Sequence, residues 1–276
     1  MKISIIIPAY NVEDHLQKAV DSIFVTGYPD IEIIIVDDNS TDNTHDIARK
    51  IEHNHNDIVK VLKIPGSMNQ GASAARNKGI ECATGELVSF LDADDWYLEN
   101  RFSTCVDILK NNPDVDGVYE KTLCIYKDKV ESIKMLNKKE LFLDGTHLES
   151  VTNRLLKSSW TTNAITLKRS ILKKSGLFNE TLLLGQDIEL WLRLSCIAKL
   201  VEGNSAAPVA VYNRHGSNRY NPLIMGSHLI IAYRSFLDWL DSQTQCNKDR
   251  KDIEAHLEFL SGPSKKIKLP GCQENL

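Results

Sequence analysis

Glu86-Leu87-Val88-Ser89-Phe90-Leu91-Asp92-Ala93-Asp94-Asp95 is the stretch that decides how this chain folds. A short, largely apolar run stops abruptly on three carboxylates. Such a run reads as a strand buried on both faces of a parallel sheet. Ligands of such sheets sit at the carboxyl ends of the strands. A strand ending in Asp-x-Asp therefore delivers two carboxylates to one edge. Clustered like charges are costly unless a cation neutralises them. Hard oxygen ligands of this kind suit Mg²⁺ or Mn²⁺, which in turn grips phosphate oxygens.

Toward the N-terminus the same grammar repeats. Ile3 to Ile7 predicts a strand ended by Pro8, and Leu16, Ala19, Val20 and Ile23 mark one stripe of a helix. Ile31 to Val36 predicts a second strand, which runs into Asp37-Asp38-Asn39-Ser40-Thr41-Asp42. A helix starting near Asp42 carries Ile47, Ala48 and Ile51, and Ile58 to Ile64 is a third strand. Asn69-Gln70-Gly71 opens a small-residue helix through Ala72, Ala74, Ala75 and Ile80. This cadence means crossover units and a mostly parallel sheet. Ala9-Tyr10-Asn11, Asp37-Asp38 and Asp92 to Asp95 all fall at carboxyl ends of strands, three placements that agree.

Past Leu98 the pattern changes. A helix through Phe102, Val106 and Leu109 leads to strand candidates at Val115–Tyr126 and Lys129–Lys134. Thr146-His147-Leu148-Glu149 is a capping-box signature for a helix toward Leu155-Leu156. Thr161 to Leu167 predicts a strand, Asp187 to Cys196 a helix, and Pro208 to Tyr212 a strand. Asn221-Pro222 opens a long helix to about Trp239. From Gly262 onward Gly, Pro, Lys and Ser dominate, and the tail is expected to be disordered.

Composition narrows the classes. The chain has 276 residues, enough for one large domain with an appendage. Its formal net charge of -4 offers no basic excess for nucleic acid, so no nucleic-acid partner is expected. The six cysteines are scattered without Cys-x-x-Cys spacing, as for reduced thiols in a cytoplasmic protein. The opening apolar run is too short for a signal peptide. No stretch approaches the ~20 apolar residues of a membrane span.

Together these motifs resemble the family 2 glycosyltransferases with the GT-A fold. The resemblance is carried by Ser4-Ile5-Ile6-Ile7-Pro8-Ala9-Tyr10-Asn11, Val36-Asp37-Asp38-Asn39-Ser40-Thr41-Asp42-Asn43-Thr44, Asn69-Gln70-Gly71 to Arg76-Asn77-Lys78-Gly79, and Leu91-Asp92-Ala93-Asp94-Asp95. Gly176-Leu177-Phe178-Asn179-Glu180, Gln186 to Leu194 and Tyr212-Asn213-Arg214-His215 extend it. Each piece is weak alone, and the ordered set is specific. The resemblance implies an α/β, GT-A type fold: a Rossmann-like, mostly parallel sheet flanked by helices, with a C-terminal helical extension. Residues 1–220 would form the glycosyltransferase domain, with 1–110 the nucleotide-binding half and 111–220 the acceptor half. Residues 221–261 would be the extension and 262–276 the tail.

The resemblance assigns Pro8, Tyr10, Asn11, Asp38, Arg76, Asp92 and Ala93 to the nucleotide-sugar. Asp38 would accept the imide N–H of uracil beside Tyr10; the plain alternative is that Asp37 or Asp38 caps the next helix or merely ends the strand. Arg76 reads either as a fork of donors toward the nucleotide and its phosphates or as a solvated helix-face cation. Asp94 is the expected metal ligand, for Mn²⁺ or Mg²⁺. Asp95 reads either as a third acidic contributor or as the N-cap before Tyr97-Leu98, and the cap is favoured. His215 reads either as a contact to the metal or diphosphate or as a surface loop residue.

The family places its general base in a Glu-Asp pair where this chain has Gln186-Asp187, so Asp187 is the expected base. The alternative is a first-turn acid favoured by the helix dipole. Trp160 and Trp191 are acceptor-site candidates, with core packing as the alternative. The apolar helix from Leu223 to Trp239, followed by Lys265-Lys266-Ile267-Lys268, leaves peripheral membrane association open, although packing against the domain is favoured.

The resemblance implies an inverting transfer from a nucleotide-sugar, a UDP-sugar by preference, to a hydroxyl of a polysaccharide or lipid-linked glycan precursor, in the cytoplasm or at the inner face of the membrane. A sugar-nucleotide pyrophosphorylase would need a Gly-x-Gly-Thr-Arg type loop, which Ile7-Pro8-Ala9-Tyr10-Asn11 lacks. A catalytically silent nucleotide-sugar-binding module would tolerate loss of Asp94 or Asp187, and both are present. A receiver domain closes its first strand on an acidic pair; here the pair closes the second.

Overall fold

The computed structural model describes residues 1–126, 129–131, 161–203, 206–214 and 222–243. The first half runs β1 (Ile3–Ala9), α1 (Leu16–Val25), β2 (Ile31–Asp37), α2 (Thr44–Asn54), β3 (Val59–Lys63), α3 (Ala72–Cys82) and β4 (Leu87–Phe90). There follow β5 (Trp96–Tyr97), α4 (Ser103–Asn111), β6 (Gly117–Tyr119), β7 (Thr122–Tyr126) and β8 (Lys129–Glu131). A 3₁₀ turn (Thr162–Ala164) then leads to β9 (Ile165–Lys168), α5 (Arg169–Ser175), α6 (Gln186–Ile197), β10 (Leu200–Glu202), β11 (Ala210–Arg214) and α7 (Pro222–Asp241).

Seven strands form the main sheet in the order β10-β6-β9-β4-β1-β2-β3. Neighbours pair in parallel except around β9, which is antiparallel to both β4 and β6. A second sheet runs β5-β11-β7-β8. The mixed α/β architecture with a mostly parallel central sheet, expected from the strand–helix cadence, is present.

The core explains why β1 and β2 are nearly pure isoleucine. Ile5, Ile7, Ile33 and Ile35 pack into one layer with Leu16, Ala48 and Val106 from α1, α2 and α4. Ile6, Ile34 and Val36 face the opposite layer with Ala75, Leu172 and Leu190 from α3, α5 and α6. Each such buried side chain contributes about 1.5–3 kcal/mol, so these strands form a rigid base for the loops at their ends. The approach of α3 is close enough that a Cβ on Gly79 would collide with the Ile6 side chain. Glycine is required there.

Several local expectations are corrected. The single strand expected over Val115–Tyr126 is two strands in different sheets, because the chain crosses over at Glu120, whose carboxylate turns inward onto buried Arg101, 3.2 Å away. Asp95 caps no helix. It is 1% exposed, takes the backbone N–H of Asn213 at 2.7 Å, and Trp96-Tyr97 pairs as a strand with β11. The expected strand over Thr161–Leu167 begins with the 3₁₀ turn, and β10 and α5, too short to show a period, were not foreseen. Helix α7 packs on α6 and buries Ala232, Tyr233 and Phe236. Among the described residues no helix is long and apolar enough to cross a membrane. The helix expected near Leu155, most of the strand over Lys129–Lys134 and the tail lie outside the described residues.

Candidate active site

Because β1, β2 and β4 are parallel neighbours, the segments that follow them emerge on one edge. Asn11 and Asn39 turn there with φ of 51° and 61°, a left-handed conformation that asparagine tolerates better than most residues. The first two loops are clasped together. The Asn11 side-chain oxygen accepts the Thr41 N–H at 2.8 Å, and the Asn11 N–H donates to Ser40 Oγ at 3.1 Å. The Asp42 carboxylate accepts the Glu13 N–H at 3.1 Å, while Glu13 accepts the Asn43 N–H at 3.0 Å.

These loops and the start of α6 enclose a cleft of about 620 Å³. Of the residues expected at a nucleotide-sugar, Pro8, Tyr10, Asn11, Asp38, Arg76, Asp92 and Ala93 all line it, together with Asp94 and Asp187. The third segment of the wall is anchored by Asp38. Its carboxylate accepts the Gln70 N–H at 2.9 Å and the Gly71 N–H at 2.7 Å, just before α3. Asp38 thus ties the β2 loop to the head of α3, not to α2, the helix that follows it in sequence. A carboxylate offers about four lone-pair sites, so this anchoring leaves capacity for a further donor.

Arg76 is 4% exposed, which removes the solvated-cation alternative. Its Nη2 donates to Asp92 Oδ1 at 2.5 Å, and the guanidinium lies 5.4 Å from the Phe178 ring centroid. Its Nε and Nη1 are buried without a hydrogen-bond partner among the described residues. Buried donors left unmade are costly, and here they belong to a side chain that lines the cleft.

Asp187 sits in the first turn of α6, which Gly185 enters with φ of 78°. It accepts the adjacent Ile188 N–H at 2.9 Å. Burial raises its carboxyl above the ordinary 3.8; the Arg76 charge counters this and the Asp92 charge adds to it. Asp95 is pushed well above 3.8 by burial and by Asp94 and Asp92, against the pull of its bonds to Asn213 and Asn163. Tyr212, on the cleft wall, is held protonated far above 10 by burial and by Asp95.

The wall as described carries Glu13, Asp14, Asp38, Asp42, Asp92, Asp94 and Asp187 against Arg76 and His15. An anion as dense as a diphosphate would meet net repulsion here without a cation of its own. Among the described residues no group of three or more His, Cys, Asp or Glu is arranged to hold a metal alone. The donor set instead fits a hard divalent ion held by one or two carboxylates and completed by substrate phosphates. Asp94 and the second oxygen of Asp92 are the candidates.

Not every expected residue belongs to the cleft. Trp191 does not line it: the side chain is 5% exposed and packs edge-on to Phe178 at 6.2 Å between centroids, in the core beneath α6. Trp160 and His215 lie outside the described residues. Sequence reading missed Glu13, Asp14, Thr162, Leu183 and Leu184 as wall residues. It also missed Asn163, whose side chain contacts the acid loop. The first two come one residue after the Tyr10-Asn11 motif, a signal that proximity alone would have supplied.

Residues 4–172 match the family model described as Glycosyl transferase family 2. The UDP-Glc:alpha-D-GlcNAc-diphosphoundecaprenol beta-1,3-glucosyltransferase WfaP of Escherichia coli is 37% identical over 108 residues, 39% of this chain and 41% of that protein. Among solved structures, S. aureus TarS 1–349 in complex with UDP-GlcNAc superposes with a TM-score of 0.70 at 22% identity, over 93% of this chain and 71% of that one. The mannosyltransferase PcManGT of Pyrobaculum calidifontis, in complex with GDP-Man and Mn2+, gives 0.64 at 19%, over 93% and 70%. The matched region spans well under half the length of the first curated relatives, 35%, 15% and 32% of them.

Proposed function

This chain belongs to glycosyl transferase family 2, and from that premise we propose that it transfers a sugar, with inversion, from a UDP-sugar to a hydroxyl of a lipid-linked or polysaccharide glycan. The observation that carries the reading is the single cleft onto which Tyr10, Asp38, Arg76, Asp92, Asp94 and Asp187 converge from distant parts of the chain. WfaP, whose name specifies UDP-Glc and a diphosphoundecaprenol-linked acceptor, supports the donor and acceptor classes.

In this reading Tyr10 and the remaining capacity of Asp38 receive the uracil, while the buried donors of Arg76 face the ribose or diphosphate. Asp187 takes the proton of the acceptor hydroxyl as its oxygen attacks the anomeric carbon. A carbon–oxygen bond forms on one face while the bond to the diphosphate breaks on the other, and configuration inverts. The raised affinity of Asp187 for a proton makes it a stronger base than an ordinary aspartate, closer to a working pH. Asp94 and Asp92 would hold Mn²⁺ or Mg²⁺, which when bound supplies neutralisation of charge on the leaving diphosphate. An acceptor carried by lipid would place the work at the inner face of the membrane.

The test is release of UDP. Purified protein with Mn²⁺ and a panel of UDP-sugars, with GDP-mannose as the competing donor class, is expected to liberate UDP slowly without acceptor and to bind UDP by calorimetry. Silence across the panel together with no UDP binding overturns the proposal and favours a module that retains only the fold.

A further inference from the structure

Asn163 belongs to none of the strand-end motifs, yet its side chain is 1% exposed and makes two contacts with the acid loop. Its Oδ1 accepts the Asp92 N–H at 3.0 Å, and its Nδ2 donates to the Asp95 carboxylate. Its own carbonyl is held in turn, accepting from Nε of the fully buried Arg101 at 3.0 Å. The remaining donors of that guanidinium are pinned by Ser89, Ile165, Thr166 and Glu120.

The topology explains why a residue so distant in sequence arrives there. Strand β9 is antiparallel to β4, with Ser89 opposite Thr166. The residues entering β9 therefore lie beside the residues leaving β4. A parallel neighbour would have brought its own carboxyl end, as β1 does. The one reversed strand in that part of the sheet supplies an amide, which can both accept and donate, where the acid loop needs both.

We propose that Asn163 is the positioning residue that sets Asp92 to Asp95 for the donor: its amide bridges the backbone of Asp92 and the carboxylate of Asp95, and Arg101 fixes the amide from behind. Asp95, held between Asn163 and the Asn213 N–H, then couples the acid loop to β11. The inference deepens the glycosyltransferase reading and rests on it for the word donor, but the geometry it asserts is independent of any ligand.

Two variants and two measurements test it. In Asn163→Ala, amide hydrogen exchange at Asp92 and Asn213 is expected to speed by about tenfold or more. In isosteric Asn163→Asp, which retains an acceptor for Asp92 but sets a carboxylate against Asp95, only Asn213 is expected to speed. Unchanged exchange in both variants, or identical exchange in the two, overturns the proposal. By calorimetry, Asn163→Ala is expected to weaken UDP binding in Mn²⁺ about tenfold while uridine binding stays as in the parent protein. Equal losses for UDP and uridine would mean a merely structural residue. Should the parent protein itself neither bind UDP nor release it from any donor of the panel, the UDP-sugar reading fails, and exchange alone decides the role of Asn163.

Discussion

The two ends of the main sheet use the same chemical group in opposite ways. At the amino end, Glu32 is surrounded by donors: the Ser4 hydroxyl, the Thr84 N–H at 2.6 Å, the Thr84 hydroxyl at 2.8 Å, the Gly85 N–H at 3.1 Å and Lys2 at 3.1 Å. These bonds outweigh its partial burial and hold its carboxyl down to about 2. At the carboxyl end, burial and neighbouring acids raise both Asp95 and Asp187. A carboxylate given enough hydrogen bonds is content to be charged, and one left short of them is not. The amino end therefore reads as a clamp that joins β1, β2 and the approach to β4. The carboxyl end reads as a site whose charge is balanced only when something binds.

Breaking the carboxyl end should cost function and leave the fold. Asp187→Asn is expected to lower kcat by about 10²–10⁴-fold, the range for loss of a general base, with UDP binding unchanged. Full turnover in that variant would remove Asp187 from the chemistry. In the parent protein kcat should fall as the pH drops through the raised Asp187 carboxyl, so the acid limb of the profile should lie above the ordinary 3.8. Asp94→Ala is expected to cost roughly 10²–10³-fold in kcat/KM, several kcal/mol of charge stabilisation, and to reduce UDP binding in Mn²⁺ to its metal-free level. UDP affinity that still rises with Mn²⁺ in the variant would move the metal elsewhere.

How much of this contrast the sequence discloses depends on the length and coverage of each element. β1, β2 and β4 are legible because both faces are covered, which forces largely apolar runs. β3, at the sheet edge, alternates buried and exposed residues, and the polar ends of β1, β2 and β4 mark the cleft. Tyr10, Asn11, Asp38, Asp92 and Asp94 at those ends line it, whereas Asp37 and Asp95 of the same motifs are buried away from it. Beyond β4 the elements shrink: β5 spans Trp96–Tyr97, and β6 and β10 only Gly117–Tyr119 and Leu200–Glu202. No periodicity can be read from such pieces. The direction of β9 is equally invisible, and with it the role of Asn163. For Trp191 the core alternative holds, since an aromatic residue within a helix does not disclose in sequence whether its side chain faces a cleft or the interior.

Asp38 sharpens the contrast, because it lines the cleft yet is anchored like Glu32. Asp38→Ala removes a charged acceptor from the Gln70 and Gly71 amides, and is expected to destabilise the protein by about 2–3 kcal/mol, the upper range for bonds to a charged group. Urea unfolding would measure that loss, and calorimetry with uridine the binding that accompanies it. Lost stability with intact uridine affinity would make Asp38 an anchor alone.

The smallest effect is expected at the clamp itself. A carboxyl moved from its ordinary 4.5 to about 2 could contribute at most about 3 kcal/mol by linkage. Glu32 is reached by solvent and one partner is a surface lysine, so screening reduces the expected loss in Glu32→Gln to about 1–2 kcal/mol. The sign follows from a folded value below the unfolded one. The contribution is complete above about 4.5 and disappears as the pH falls toward about 2. Parent and variant should thus differ most near neutrality and converge in acid, with UDP binding in Mn²⁺ alike in both. A variant that loses UDP binding while remaining folded would show that the clamp's geometry reaches the cleft through β1 and β4, and the two ends of the sheet would no longer count as separable.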